Sequence, residues 1–137
     1  MSRKVFLASD VLSAFLNRND PKHLQASAFF RYFAQEHFYL YTSSEIVIFV
    51  YQNISQGISK SFAKEFLQVM SESSIHILTP DEQDIRKAMQ LVTTSFTDLG
   101  LQEALSLVTT QRHYIPQIAT FLYMHSLFGR EPFYLPI

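Results

Sequence analysis

Apolar positions along the chain fall into short runs of strand type separated by longer stretches of helical spacing. Val5-Phe6-Leu7-Ala8 is a compact run with β character. It gives way to Ser9-Asp10 and then to Val11, Leu12, Ala14, Phe15 and Leu16, whose spacing suits a buried helix with a polar cap. Asp20-Pro21 reads as a cap followed by proline at the first helical position. Ala26, Phe29, Phe30 and Phe33 then recur at i, i+3, i+4 and i+7, which predicts a helix ending near His37. Phe38 to Thr42 is aromatic and extended in character, a second strand, and Ser43-Ser44 offers caps for a helix after it.

In Ile46-Val47-Ile48-Phe49-Val50-Tyr51, propensity and architecture disagree, because such β-favouring residues ordinarily make a strand. A helix apolar on all faces is the better reading: Ser43 or Ser44 caps it, Glu45 suits its positive end, and the pattern runs on to Ile54 before Gly57. Residues 59–73 predict a further helix with Phe62, Phe66, Val69 and Met70 on one face, and Ile75 to Leu78 a third strand. Thr79-Pro80-Asp81-Glu82 has the form of a threonine cap, a first-turn proline and a capping-box glutamate. The helix after it is expected to reach Thr94 with Ile85, Ala88, Met89 and Val92 inward. Gly100 precedes another helical pattern in Leu101, Ala104, Leu105 and Val108. Residues 117–121 make a fourth strand, and 133–135 an edge strand beside Pro132 and Pro136. Strands alternating with helices predict an α/β fold of three α/β/α layers around a short, mostly parallel central sheet. No repeat or linker divides residues 1–137, so one domain is expected.

Composition narrows the chemistry. The absence of cysteine excludes disulfides, thiolate metal sites and cysteine nucleophiles, and three scattered glycines exclude glycine-rich phosphate loops. A net charge of −1 gives no global attraction to nucleic acid or anionic membrane. The first residues lack the apolar length of a signal peptide or spanning helix, so a soluble, cytoplasmic protein without membrane contact is expected. Candidate chemistry therefore rests mainly on twelve carboxylates and five histidines.

The block Val5-Phe6-Leu7-Ala8-Ser9-Asp10-Val11-Leu12, followed by residues 16–23 with Asp20-Pro21-Lys22-His23, resembles the opening of PIN domains, and of VapC-type toxins in particular. The similarity continues through Thr42-Ser43-Ser44-Glu45-Ile46, Leu101-Gln102-Glu103-Ala104-Leu105 and Ile118-Ala119-Thr120-Phe121, so it spans essentially the whole chain. The resemblance implies a metal-dependent endoribonuclease in which acids at the C-terminal edge of the sheet hold Mg²⁺ or Mn²⁺. Hard divalent cations take oxygen ligands and activate water beside a phosphate. It also implies a homodimer, RNA as the nucleic-acid ligand, and an antitoxin-like protein partner that inserts a basic side chain among the acids.

By that alignment the family's first acid falls at Ala8, its helix-borne glutamate at Val50, its third acid at Glu103 and its fourth at Leu122. Most of the metal-binding acids are thus replaced. Asp10 stands where the family has Asn or Ser, so Asp10 and Glu103 form a two-carboxylate remnant, with Asp98 or Glu45 as helpers, that would bind Mg²⁺ or Mn²⁺ weakly. The expectation is a PIN-like domain acting as a non-catalytic or weakly active RNA- or protein-binding module. The alternatives are a low-efficiency Mg²⁺/Mn²⁺ ribonuclease of a toxin–antitoxin type and a structural homodimer.

Plainer roles compete for the same residues. Asp10 also reads as a helix cap, and Glu103 as a first-turn acid complementing the helix dipole. His23, His37, His76, His113 and His125 show no metal-binding spacing, and Arg18, Lys22 and Arg31 read as a solvated face. Seven of the thirteen residues from Phe29 to Tyr41 are aromatic. Core packing with a subunit interface accounts for them better than base stacking. The apolar segment 128–137 is expected to dock on its own domain or a partner.

Overall fold

The computed structural model describes residues 3–96, 98–121 and 131–132. In chain order these form β1 (Lys4–Leu7), α1 (Ser9–Leu16), α2 (His23–Gln35), β2 (Tyr39–Ser43), α3 (Ser44–Gly57) and α4 (Lys60–Glu72). Beyond them lie β3 (His76–Leu78), α5 (Glu82–Thr94), α6 (Leu101–Arg112), β4 (Gln117–Ala119) and β5 (Glu131–Pro132). The strands make one sheet in the order β3-β2-β1-β4-β5, with every pairing parallel.

That order dictates the layers. From β1 the chain steps to β2 and then β3 in one direction, and right-handed crossovers put α1 to α4 on one face. The next crossover returns past β1 to β4, so α5 and α6 lie on the opposite face. The expected three layers result. The direction of winding reverses between β1 and β4, and open parallel sheets form their crevice at such a switch point, beyond the C-terminal ends of the strands.

The core explains the helix of the Ile46 run. Ile46, Val50 and Ile54 lie four apart on one face, all buried, and join Val5, Phe6, Leu7, Val11, Phe33 and Phe66 in the principal apolar cluster. The helix is not apolar-buried on all sides, however, since Ile48 and Phe49 face outward. The aromatic run is mostly core. Phe15 stacks on Phe30 with ring centroids 4.1 Å apart, Phe29 packs on Phe33 and Phe121, and Tyr32 packs on Phe38. Tyr39 alone of the run is largely exposed, at 61%.

Three local expectations shift. α2 starts at His23, because the Asp20 carboxylate accepts the Lys22 N–H at 2.8 Å and closes a turn before the helix rather than capping it. The cap of α5 is Asp81, not Thr79: Asp81 accepts the Asp84 N–H at 2.9 Å while the Asp84 carboxylate accepts the Asp81 N–H at 3.1 Å. A charged acceptor binds the amides at the positive helix end more strongly than a hydroxyl, so the capping box moves two residues along. Ile85 and Met89 consequently turn outward, while Asp84 and Ala88 face inward. The edge strand is Glu131–Pro132, where Pro132 meets the expectation that proline belongs at an edge; residues 133–135 lie outside the described residues.

Candidate functional site

At the switch point, β1 ends at Leu7 and Ala8 takes the cap position of α1 in extended conformation, with no side chain to serve as a cap. The Ala8 N–H donates to the Ala119 carbonyl at 3.1 Å, which continues the β1–β4 ladder to the mouth of the crevice. Asp10 lies in the first turn of α1, so it is not the helix cap. Its Oδ1 accepts the Val11 N–H, and its Oδ2 accepts both the Thr120 hydroxyl and the Phe121 N–H, each at 2.8 Å. The carboxylate thereby clamps the start of α1 to the end of β4.

Glu103 approaches from α6. Gly100 caps that helix in extended conformation, and a Cβ at residue 100 would collide with the Glu103 carboxylate, so the glycine gives this side chain room to fold back over the helix N terminus. A negative charge is favoured there by the helix dipole. Next to it, the Ser9 hydroxyl donates to Gln102 Oε1 at 2.6 Å. Asp10 and Glu103 do line one cleft, with Ala8, Gln102, Ser106 and Thr120, but its free volume is only about 40 Å³. No site role for Ser9, Gln102, Ser106 or Thr120 was legible in the sequence, since only the sheet order brings Thr120 beside Asp10.

The other expected positions lie apart. Val50 is fully buried in the core, in the second turn of α3. Glu45 stands in the first turn of that helix, beside the C-terminal end of β2; its Oε2 accepts the Ser43 hydroxyl, and its buried Oε1 has no hydrogen-bond partner among the described residues. Asp98 is exposed, and neither it nor Glu45 lines the cleft. Leu122 and His125 lie outside the described residues. Among the described histidines, His23 bonds the Ala14 carbonyl at 2.9 Å and His76 stacks on Tyr41.

A Mg²⁺ or Mn²⁺ ion does not fit this donor set. Among the described residues no three acidic or histidine side chains are grouped to hold a cation. Asp10 has spent three of its four acceptor directions on protein donors, which leaves one lone pair for a metal.

A second polar constellation lies between α5 and α6. Asp84, 2% exposed, accepts the Arg112 Nε at 3.0 and 2.9 Å and Nη2 at 2.7 Å. Burial by itself would raise the Asp84 carboxyl. The hydrogen bonds from Arg112 and the Asp81 N–H, with the Arg112 charge, outweigh it and hold the group below the usual carboxylate range. Burial, with the Arg112 charge beside it, lowers the His113 imidazole, whose buried Nε2 has no partner among the described residues.

No family model and no curated protein sequence matches the chain. Solved structures do. VapC20 of Mycobacterium tuberculosis, a sarcin–ricin loop cleaving toxin, superposes with a TM-score of 0.76 at 14% identity, covering 91% of this chain and 92% of its own. FitAcB of Neisseria gonorrhoeae gives a TM-score of 0.69 at 15% identity, covering 95% and 96%. The fold is therefore the α/β/α fold of PIN domains, of VapC type, as the sequence blocks led one to expect.

Proposed function

We propose that this PIN-like domain acts as a binding module for RNA or for a protein partner and not as an efficient metal-dependent nuclease. The observation that carries this reading is the Asp10 carboxylate: it accepts Val11 N–H, Thr120 Oγ–H and Phe121 N–H, so the acid nearest the position where the resemblance implies a metal ligand is a structural clamp. Ala8 beside it contributes no oxygen, and the cleft of about 40 Å³ has room for a water or two rather than a hydrated cation and a phosphodiester. The likeness to VapC-type structures supports RNA as the nucleic-acid class and an antitoxin-like protein and a second copy of the chain as partners, in the cytoplasm. With Ala8, Val50 and Leu122 at the positions where the resemblance implies acids, a basic side chain of such a partner would find little to pair with, so the partner would hold the domain by other contacts.

One observation favours a second reading, a low-efficiency Mg²⁺/Mn²⁺ ribonuclease. Glu45 stands at the sheet edge where a helix-borne acid could reach a metal, which Val50 in the core cannot, and its Oε1 is buried without a partner among the described residues. In that reading the acid expected at residue 50 belongs at residue 45, and Glu45 would have to turn toward the cleft that Glu103 lines for the two to hold the ion. The deciding experiment incubates the full chain with structured RNA in millimolar Mn²⁺, beside Glu103→Gln and Glu45→Gln variants. No cleavage above the metal-free control is expected. Metal-dependent cleavage that both variants abolish would replace the first reading with the second.

A further inference from the structure

Apart from the switch-point cleft, the structure holds an open groove of about 420 Å³ between α5 and α6. Its volume lies in the range of small-molecule sites. The two helices run antiparallel, since Asp84 near the start of α5 pairs with Arg112 at the end of α6. The groove is consequently polarised along its length. Lys87 and Arg112 stand at one end, and Leu91 and Val108 form an apolar stretch further along. Glu103 and Arg112 lie nine residues apart on α6, about 14 Å along the axis, so the groove is separate from the cleft.

The cationic end is built to receive an anion. Asp84 is the groove's sole acidic lining residue among those described, and its oxygens are occupied by Arg112 and the Asp81 N–H. It therefore offers little to a cation and instead locks the guanidinium in place, while Arg112 Nη1 keeps no protein acceptor among the described residues. A guanidinium already fixed by a buried carboxylate loses little freedom on taking a second anion. Lys87 makes no ion pair among the described residues, so it adds a free positive charge.

The other end selects the body of the ligand. Gln90 borders the apolar floor, while Gln111 neighbours Arg112 at the cationic end, and neither side-chain amide makes a hydrogen bond among the described residues. An alkyl chain on Leu91 and Val108 would cover the Gln90 amide without satisfying it, at a free-energy cost. A nucleobase offers an apolar face to the floor and donors and acceptors to that amide. We propose that the groove between α5 and α6 binds a nucleoside monophosphate, free or as the phosphorylated end of an RNA, with the phosphate on Lys87 and Arg112 and the base on Leu91 and Val108 beside Gln90.

Calorimetry on the full chain tests this with AMP, adenosine and inorganic phosphate as probes. AMP is expected to saturate, with adenosine weaker by about tenfold or more, the usual worth of a charge-assisted contact. Arg112 variants strand the buried Asp84 and can fail to fold, so Lys87→Gln carries the test: it should retain the native circular dichroism spectrum and lose AMP affinity by a similar factor. Phosphate should compete with AMP. A short RNA with a 5′-phosphate, set against its 5′-hydroxyl twin, distinguishes the sources: preference for the phosphorylated strand supports an RNA end, and equal binding of the two beside tight AMP binding supports the free nucleotide. AMP that fails to saturate at millimolar concentration, AMP and adenosine binding alike, or Lys87→Gln binding as the parent does would each overturn the proposal.

Discussion

At the scale of single residues, Asp10 decides most about the switch point. Its carboxylate holds two backbone amides and a hydroxyl from both ends of the sequence. Asp10→Ala would leave the Val11 and Phe121 N–H groups without their acceptor in a partly buried place. A loss of about 2–4 kcal/mol is expected, from two or three hydrogen bonds to a charged group partly replaced by water. Asp10→Asn retains one acceptor oxygen and should lose about half as much, whereas Glu103→Gln, with no hydrogen bond to break among the described residues, should stay within about 0.5 kcal/mol. Urea midpoints at constant m-value measure all three. Equal stability of the parent and Asp10→Ala would show that the clamp is dispensable. The sequence made Asp10 legible as an acid at the end of the first strand. It could not show its use, because Thr120 and Phe121, both just beyond β4, are more than a hundred residues away and reach it only through the β1–β4 pairing.

At the scale of elements, the pairing of α5 with α6 rests on one buried carboxylate that performs two tasks. Asp84 closes the capping box of α5 and accepts Arg112 from α6. Asp84→Asn should destabilise the protein by about 2 kcal/mol, below the usual range for a broken buried pair because Arg112, 40% exposed, can rehydrate. The pH dependence has two limbs of the same sign. His113 is held below its ordinary value near 6.5, so the unfolded chain takes up that proton first, and stability declines as pH falls below about 6.5. Asp84 is held below its ordinary value near 4, so its contribution is complete above that pH and is lost as pH falls through the lower folded value. Thermal midpoints between pH 8 and 3 should therefore fall in two steps; His113→Gln should flatten the first and Asp84→Asn the second. A flat parent profile from pH 7 to 5 would contradict the role given to His113. Helix α5 also shows why sequence patterns mislead here. Its spacing marked Ile85 and Met89 as inward, but the layer it joins is thin, and the inward face is held by Asp84, Ala88 and the flank of Leu91. Helix α3 shows the reverse. Its β-branched run was readable as a helix because Ser43, which takes the N-terminal cap position without a capping hydrogen bond, and Gly57, the last helical residue, bracket the Ile46-Val50-Ile54 face.

At the scale of the whole molecule, apolar packing divides unevenly between the two faces of the sheet. The principal cluster joins residues from β1, α1, α2, α3, α4, α6 and β4, while Ala88, Ala104, Leu105 and Val108 form a small cluster between α5 and α6. Leu99 borders both clusters, and Leu107 of α6 belongs to the larger one. Helix α6 is therefore anchored to the sheet, and α5 is attached largely through α6. That division could not be read from the sequence, where alternating strands and helices announce three layers but not how much core each face receives. It comes from strand order: the β1–β2 and β2–β3 crossovers supply α1 to α4 to one face, and among the described helices only α5 and α6, from the β3–β4 crossover, cover the other. Local opening takes the least-buried unit first. Hydrogen exchange on the full chain should accordingly find the amides of α5 exchanging well before those of β1 and α3, with α6 between them. Asp84→Asn should accelerate α5 by about tenfold or more, as a loss near 2 kcal/mol implies, and leave β1 nearly unchanged. If α5 and β1 exchange together in parent and variant alike, the two faces unfold as one cooperative unit and the uneven core has no thermodynamic consequence.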